Sequence, residues 1–379
     1  MLQFNQKNIT DVSQIERTLQ DYVIEMLGVV VVGIGIAGRV RIRDLLNPLP
    51  NSAVEKLKLM GFVSRRTLGN IEQLKQITLE EALQSDEIQA AIISLENQFH
   101  EEYVRKFLDA GKHVCVEFPL ALSLAAAYEL WDLADLKVMF PMLNSRKCGP
   151  PAIDGRERMI ASCFCFNVNC DFGRLSIFST LIAKPTRTRM GADNPGQNFR
   201  KILHVEHIEL LSAEYKHLKQ QVSGKELMEG SLHFTGGPLD RQRTGFLTFS
   251  GIARLSWLVD LFGELNFKSA TLEELKKQQY WKLTTHLHTK NSRPLIWIEE
   301  RGPGLKRKKC INFQFKSDTV DHIPAVPNSP VGLFMQDLSL FAQKLAGQTP
   351  TEPSEKNRIM YCLGLADEIR VFCEQIPPN

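Results

Sequence analysis

Hydrophobic and polar positions follow two different rhythms along this chain. From Gly28 to about residue 136, short unbroken apolar runs alternate with amphipathic stretches; beyond Val222, apolar and polar residues alternate one by one. Val29–Val32 is an uninterrupted β-branched run, the pattern of a strand buried on both faces of a parallel sheet. The segment RVRIRDLL that follows predicts a helix stopped at Asn47 and Pro48. Leu59–Val63, Ala90–Leu95 and His113–Val116 predict three more strands, with a helix before the last one closing at Gly111. Strand and helix alternate throughout, so the predicted class is α/β, a doubly wound parallel sheet. Downstream, ELMEGSLHFTGGPL, SATLEELKKQQYWKLTTHLHTK, PLIWIEERG and KKCINFQFKS predict extended strands, and GIARLSWLVDLFGEL predicts a helix ending at Gly263. This second pattern implies an α+β domain built on a large, mostly antiparallel sheet with helices on one face. Two later helical segments, VGLFMQDLSLFAQKLAG and EKNRIMYCLGLADEIRVFCEQ, are expected to pack back onto the first domain. The expected organisation is an extension (1–27), a parallel-sheet domain (28–221) interrupted by an atypical insertion (138–200), and the α+β domain (222–379).

The end of the first strand changes the picture from fold to ligand. Gly33, Gly35 and Gly38 fit G-x-G-x-x-G between a predicted strand and a predicted helix, the context a dinucleotide turn requires. The residues Gly33, Ile34, Gly35, Ile36, Ala37 and Gly38 are therefore candidates to cradle a pyrophosphate at the helix N-terminus. An NAD-selective site places Asp or Glu after the second strand. This chain has Ser64, Arg65 and Arg66, chemistry suited to a 2′-phosphate, so NADPH is preferred over NADH; the other reading is a solvated basic turn. Glu117 and Phe118 end the fourth strand, where such sheets place ligands.

Composition adds mainly exclusions. The 379 residues carry a net charge of +3, too little to call for nucleic acid or a membrane surface. Scattered cysteines and the lack of an apolar leader point to a reducing, cytoplasmic setting, and no apolar run is long enough for a bilayer. Leu305–Lys309 (LKRKK) reads as a turn between strands rather than a nucleic-acid patch, and Tyr280 as a cross-strand tyrosine rather than a signalling motif.

The motifs GIGIAG, GFVSRR, AGKHVCVEFPLALSLAAAYELW, EHIELL, FSGIARLSWLVDLFGEL, WIEERGPGLKRKK and YCLGLADEI, in order across both domains, resemble the biliverdin reductase family, within the glucose–fructose oxidoreductase-type group. The resemblance covers most of the chain from Gly28 onward, apart from 138–200. It implies NAD(P)H-dependent reduction of biliverdin to bilirubin by hydride delivery to the central methine carbon. It also places Glu206 and Glu209 near the substrate. Three residues apart, these two share one helical face if a helix starts near His207; the alternative is a solvated helix face. Arg254 sits among apolar residues and is expected either to bind a carboxylate or donate toward a pyrrole through water, or else to form a buried ion pair. Arg241 and Arg243 are weaker candidates for propionate contacts, the alternative being simple loop charges, and His100, His204 and His207 carry no catalytic assignment.

Departures from the family matter. The wider group carries Glu-Lys-Pro where this chain has Glu117-Phe118-Pro119, so the lysine chemistry of sugar oxidation is missing. The biliverdin reductases carry tyrosine there, so Phe118 keeps a ring and loses a hydroxyl. Ile36 replaces an arginine of the glycine turn. A family zinc cluster retains only Cys362 and Cys373, with Tyr361 and Glu374 at the other ligand positions, at most a weak site. The insertion holds Cys148, Cys163, Cys165 and Cys170 without partner histidines and reads as a splice-form or gene-model segment looped out of the sheet. The expectation is a monomeric biliverdin reductase. The alternatives are a reductase of the same group with another substrate, or a catalytically impaired NADPH-binding interaction protein.

Overall fold

The computed structural model describes residues 26–136 and 200–375, apart from single positions 72, 324, 328 and 351; the extension before residue 26 and the insertion fall outside the described residues. The first sheet has five parallel strands in the order β2-β1-β3-β4-β5: β1 Leu27–Val32, β2 Leu57–Val63, β3 Ala90–Ile93, β4 His113–Val116 and β5 Leu203–Val205. The valine run explains the centre of this sheet. Strand alternation sends Val30 and Val32 into one core and Val29 and Val31 into the other, and all four are essentially inaccessible. Helix α1, Ile36–Leu46, follows β1 and ends at Asn47 as expected; α2 is Leu79–Gln84, α3 His100–Asp109 and α4 Leu124–Leu136. Strand order reverses between β1 and β3, and it is at the carboxyl ends of such strands that a crevice opens.

After β5 come the short α5, Ile208–Leu211, and α6, Ala213–Val222. The second sheet has six strands in the order β11-β10-β6-β9-β8-β7, with β6 Leu227–Gly236, β7 Leu265–Leu275, β8 Tyr280–Thr289, β9 Pro294–Arg301, β10 Lys308–Phe315 and β11 Thr319–Val320. All neighbours are antiparallel except β6 and β9. Two short helices, α7 Arg241–Thr244 and α8 Leu247–Ser250, lead into α9, Ile252–Phe262, capped at Gly263. Leu255, Trp257 and Leu258 of α9 share a core with Leu232, Trp297 and Phe313 of the sheet.

The terminal helices divide their loyalties. Helix α10, Leu333–Leu345, packs on α1 and sends Met335, Leu338 and Phe341 into the core beneath Val29 and Val31, as expected. Helix α11, Pro353–Gln375, instead packs chiefly against α8, α9 and β7, meeting the first domain at α4 and, through Glu355, at His204 of β5 and Lys344 of α10. Its long buried stripe, from Ile359 through Leu363 and Ala366 to Ile369, matches the apolar surface around α9 rather than the parallel sheet.

Candidate active site

A cavity of about 530 Å³ opens at the carboxyl ends of the parallel strands. Gly33 to Ala37 form its floor after β1, Ser64, Arg65 and Arg66 come from the end of β2, Ser94 to Glu96 from β3 and Glu117 from β4. The glycines are required here for three separate reasons. Gly33 has φ of +96°, and an added Cβ would lie 2.3 Å from the Ser94 carbonyl. A Cβ on Gly38 would lie 1.9 Å from the Gly33 carbonyl, so the helix reaches the turn only without one. Gly35 meets nothing within 4 Å: it faces open space at the start of α1, whose N-terminus has no side-chain cap. A cradle of free amides at a positive helix end fits a pyrophosphate. Ile36, 88% exposed, stands on the rim.

The basic side of the cavity is organised by one carboxylate. Glu96 takes Arg65 at 2.5 Å and Arg243 at 2.7 Å, and Arg65 stacks 4.1 Å over Phe99. Burial would raise the Glu96 carboxyl, but Arg243 and Arg65 outweigh it and hold it low. The Arg66 amide donates to Ser64 Oγ at 3.1 Å and its guanidinium reaches the Ile34 carbonyl at 3.4 Å. Ser64, Arg65 and Arg66 thus converge on the glycine turn. Arg243, read from sequence as a propionate contact, lines this cavity instead. Arg241 turns away to Glu274 at 3.3 Å.

At the other end, β4 and β5 finish side by side. Val116 pairs with Val205, so Glu117 and Glu206 leave the sheet together. This corrects the expectation of a helical pair: Glu206 precedes helix α5 and is buried beneath the site, whereas Glu209 lies on that helix. Glu206 accepts from Arg41 Nη2 at 2.6 Å, and the same nitrogen meets Asp337 at 2.6 Å. Asp337 also bonds His204 at 3.0 Å, and Lys344 donates to the other ring nitrogen of His204 at 2.9 Å. Burial would raise Asp337, but His204 and Arg41 keep it well below the usual carboxylate range. Arg41 is therefore matched by Asp337, and Glu206 and Glu117, at the ends of β5 and β4, are drawn to the same guanidinium. Burial, reinforced by Glu117 and Asp337 against Arg41, pushes Glu206 up to about 8. Burial raises Glu117 as well, and its Oε1 has no partner among the described residues. Together the pair retains a proton near neutral pH.

Phe118 packs on His207 at 4.5 Å between centroids. Burial lowers His207 to about 3, so it stays neutral. His100 is buried and bridges the Pro119 and Leu95 carbonyls at 2.7 and 2.9 Å, pinning the ends of β3 and β4. Glu209 pairs with Lys309 at 2.7 Å and Arg307 at 3.3 Å; these cations outweigh burial and keep it ionised, which removes it as a proton donor. Arg254 follows the buried ion-pair alternative. Its Nε and Nη2 meet the two oxygens of Glu299 at 2.7 and 3.1 Å, and Nη2 also donates to the Ser250 carbonyl.

The two cysteines proposed as metal ligands cannot share an ion. Cys362 and Cys373 lie on one helix, about 16 Å apart at 1.5 Å per residue, and burial pushes their thiols up to about 12 and about 11. Cys115, His204 and Asp337 do cluster within 4.8 Å, but Arg41 and Lys344 already occupy the ligand atoms of Asp337 and His204. Leu305 to Arg307 lie between β9 and β10, whereas Lys308 and Lys309 open strand β10, and Tyr280 donates across the sheet to Glu300 at 3.0 Å.

The comparisons with known proteins agree with this geometry. Residues 27–140 match the oxidoreductase family with an NAD-binding Rossmann fold, and residues 215–327 match biliverdin reductase, catalytic. Biliverdin reductase A of Homo sapiens is 45% identical over 348 residues, 91% of this chain and 96% of that protein. That of Mus musculus is 43% identical over 350 residues, 92% of this chain and 96% of that protein. Among solved structures, biliverdin reductase from Synechocystis sp. PCC 6803, in complex with biliverdin and NADP+, aligns with a TM-score of 0.60 at 20% identity, over 92% of this chain and 99% of that one. Scyllo-inositol dehydrogenase from Lactobacillus casei aligns with a TM-score of 0.60 at 11% identity, over 92% and 97%. At such identities these two share the fold.

Proposed function

The chain belongs to the biliverdin reductase family, and we propose on that footing that it reduces biliverdin to bilirubin with NADPH or NADH. The observation that carries the reading is the juxtaposition of the dinucleotide cradle with Glu117 and Glu206, which leave the paired ends of β4 and β5 together. When bound, the nicotinamide cofactor supplies a hydride to the central methine carbon. Gly33, Gly35 and Gly38 would hold the pyrophosphate at the N-terminus of α1, and Ser64, Arg65 and Arg66 would take the adenosine 2′-phosphate. Phe118, braced by His207, offers an apolar wall toward the nicotinamide. Glu206 retains a proton that Glu117 presents to the cavity, for a pyrrolic nitrogen whose basicity rises as the hydride arrives. Arg254 is locked to Glu299 in a buried ion pair. The same reading makes the chain a cytoplasmic monomer. Free thiols at Cys115, Cys310, Cys362 and Cys373 support a reducing compartment, and among the described residues no helix is long and apolar enough to cross a membrane. Mixing the protein with biliverdin and NADPH and following the visible spectrum tests it: bilirubin must appear, and an unchanged spectrum with NADPH bound refutes the reading.

A further inference from the structure

The wall of the cofactor cavity is not built by the first domain alone. Among the described residues that line it, all come from the parallel-sheet domain except Arg243, which stands on the short helix α7 of the second domain. Three contacts seat α7 against that rim. Asn97 Nδ2 donates to the Thr244 carbonyl at 2.9 Å, and Arg243 donates to Glu96 at 2.7 Å. Gly245, with φ of +79°, closes on Leu122 so tightly that an added Cβ would lie 2.7 Å from the leucine side chain. The contact between domains therefore fixes where Arg243 sits. It sits one carboxylate away from Arg65: Glu96 Oε1 takes Arg243, and Oε2 takes Arg65, whose guanidinium is stacked on Phe99.

Donors and charge say what this corner receives. Each of the two guanidiniums spends its Nη2 on Glu96, and Nε and Nη1 of both have no protein acceptor among the described residues. Arg66 adds a third cation, bonded to the Ile34 carbonyl and to no carboxylate among the described residues. Three cations against Glu96 leave two positive charges in excess, while the glycine turn serves the pyrophosphate separately. A phosphate monoester carries about −1.5 to −2 charges at neutral pH and suits the planar donor fork of arginine. The side chains of Arg65 and Arg243 are 47% and 57% exposed, so their pairs with Glu96 are weak and leave both free to engage a stronger acceptor.

We propose that Arg243 is a cofactor-binding residue supplied by the second domain: with Arg65 and Arg66 it takes the adenosine 2′-phosphate, so NADPH ties the two domains together at this corner and NADH does not. The inference rests on the dinucleotide reading of the cavity and is independent of which substrate is reduced.

Calorimetric titration of the full chain tests it, with NADPH, NADH and adenosine 2′,5′-bisphosphate as ligands and the wild type, Arg243→Gln and Arg243→Lys as proteins. In Arg243→Gln the Kd for NADPH and for the bisphosphate should rise about tenfold, the scale of one charged hydrogen bond, with the Kd for NADH unmoved. Arg243→Lys keeps the charge and should recover part of the loss, and added salt should narrow the gap between wild type and Arg243→Gln. Hydrogen exchange gives a readout apart from affinity: the amides of residues 241–245 should slow on NADPH binding in the wild type, but neither with NADH nor in Arg243→Gln. Equal weakening of NADPH and NADH marks a merely structural contact and overturns the assignment, as does an unchanged Kd for NADPH; both leave the cofactor reading standing. A wild type that binds neither dinucleotide overturns that reading and the assignment with it.

Discussion

Replacing Glu206 by glutamine isolates the proton. The amide keeps an oxygen for Arg41, so the buried contact survives, but the side chain no longer titrates. With Glu206 at about 8, its protonated fraction falls from about 0.91 at pH 7 to about 0.09 at pH 9, a loss of about tenfold in any rate that needs the proton. The wild-type kcat, at saturating biliverdin and NADPH, should decline by that factor across the interval. In Glu206→Gln the kcat at pH 7 should fall by about 100-fold, the lower end of a general acid's contribution, and what remains should be flat to pH 9. Stability gives a second readout. A carboxyl raised on folding binds its proton more tightly in the native state, so it weakens the fold as pH climbs from the ordinary 4.5 through 8. The wild type should therefore lose Tm over that window relative to Glu206→Gln. Retention of both the rate and its basic limb in the variant would refute Glu206 as the proton source.

Other perturbations separate binding from folding. Gly35→Ala points into open space and should leave Tm unchanged while weakening NADPH by tenfold or more in equilibrium titration; Gly38→Ala collides with the Gly33 carbonyl and should lower both. Arg66→Ala should raise the KM for NADPH by about tenfold and leave that for NADH unmoved, since only the former carries the 2′-phosphate. Asp337→Asn strips Arg41 of its matched carboxylate and should lower stability by about 3–5 kcal/mol in denaturant titration. Because Asp337 is held low, its contribution is present above the ordinary 3.8 and lost as pH falls below it, so the variant and the wild type should converge in acid.

Where a residue's environment is local, the sequence announces it. The valine run, the three glycines and the Gly263 stop act through neighbouring backbone, and each sits in the structure where the pattern puts it. The alternation beyond Val222 likewise predicts the strands of the second sheet. The spacing of three between Glu206 and Glu209 suggests a helix, whereas the parallel ladder holds the chain extended through Val205 and releases the helix only at Ile208. No sequence pattern brings Arg41, His204 and Asp337 together, because they come from α1, β5 and α10, up to 296 residues apart. A faint signal existed: Asp337 is a lone charge among apolar residues in LFMQDLSLF, which calls for a buried counter-ion. Arg254 gave that signal clearly, yet only the structure names Glu299 as its partner. The tether between Glu96 and Arg243 spans separate domains, as does the pairing of Glu209 with Lys309 and Arg307, and no spacing rule connects them.

The central claim is hydride delivery to the bridge carbon of the bilin. NADPH carrying deuterium at the transferred position of the nicotinamide, incubated with biliverdin and the full chain, tests it directly. The account predicts bilirubin one mass unit heavier, with the deuterium at the central methylene by NMR. Bilirubin without the label, or label at any other carbon, would contradict it.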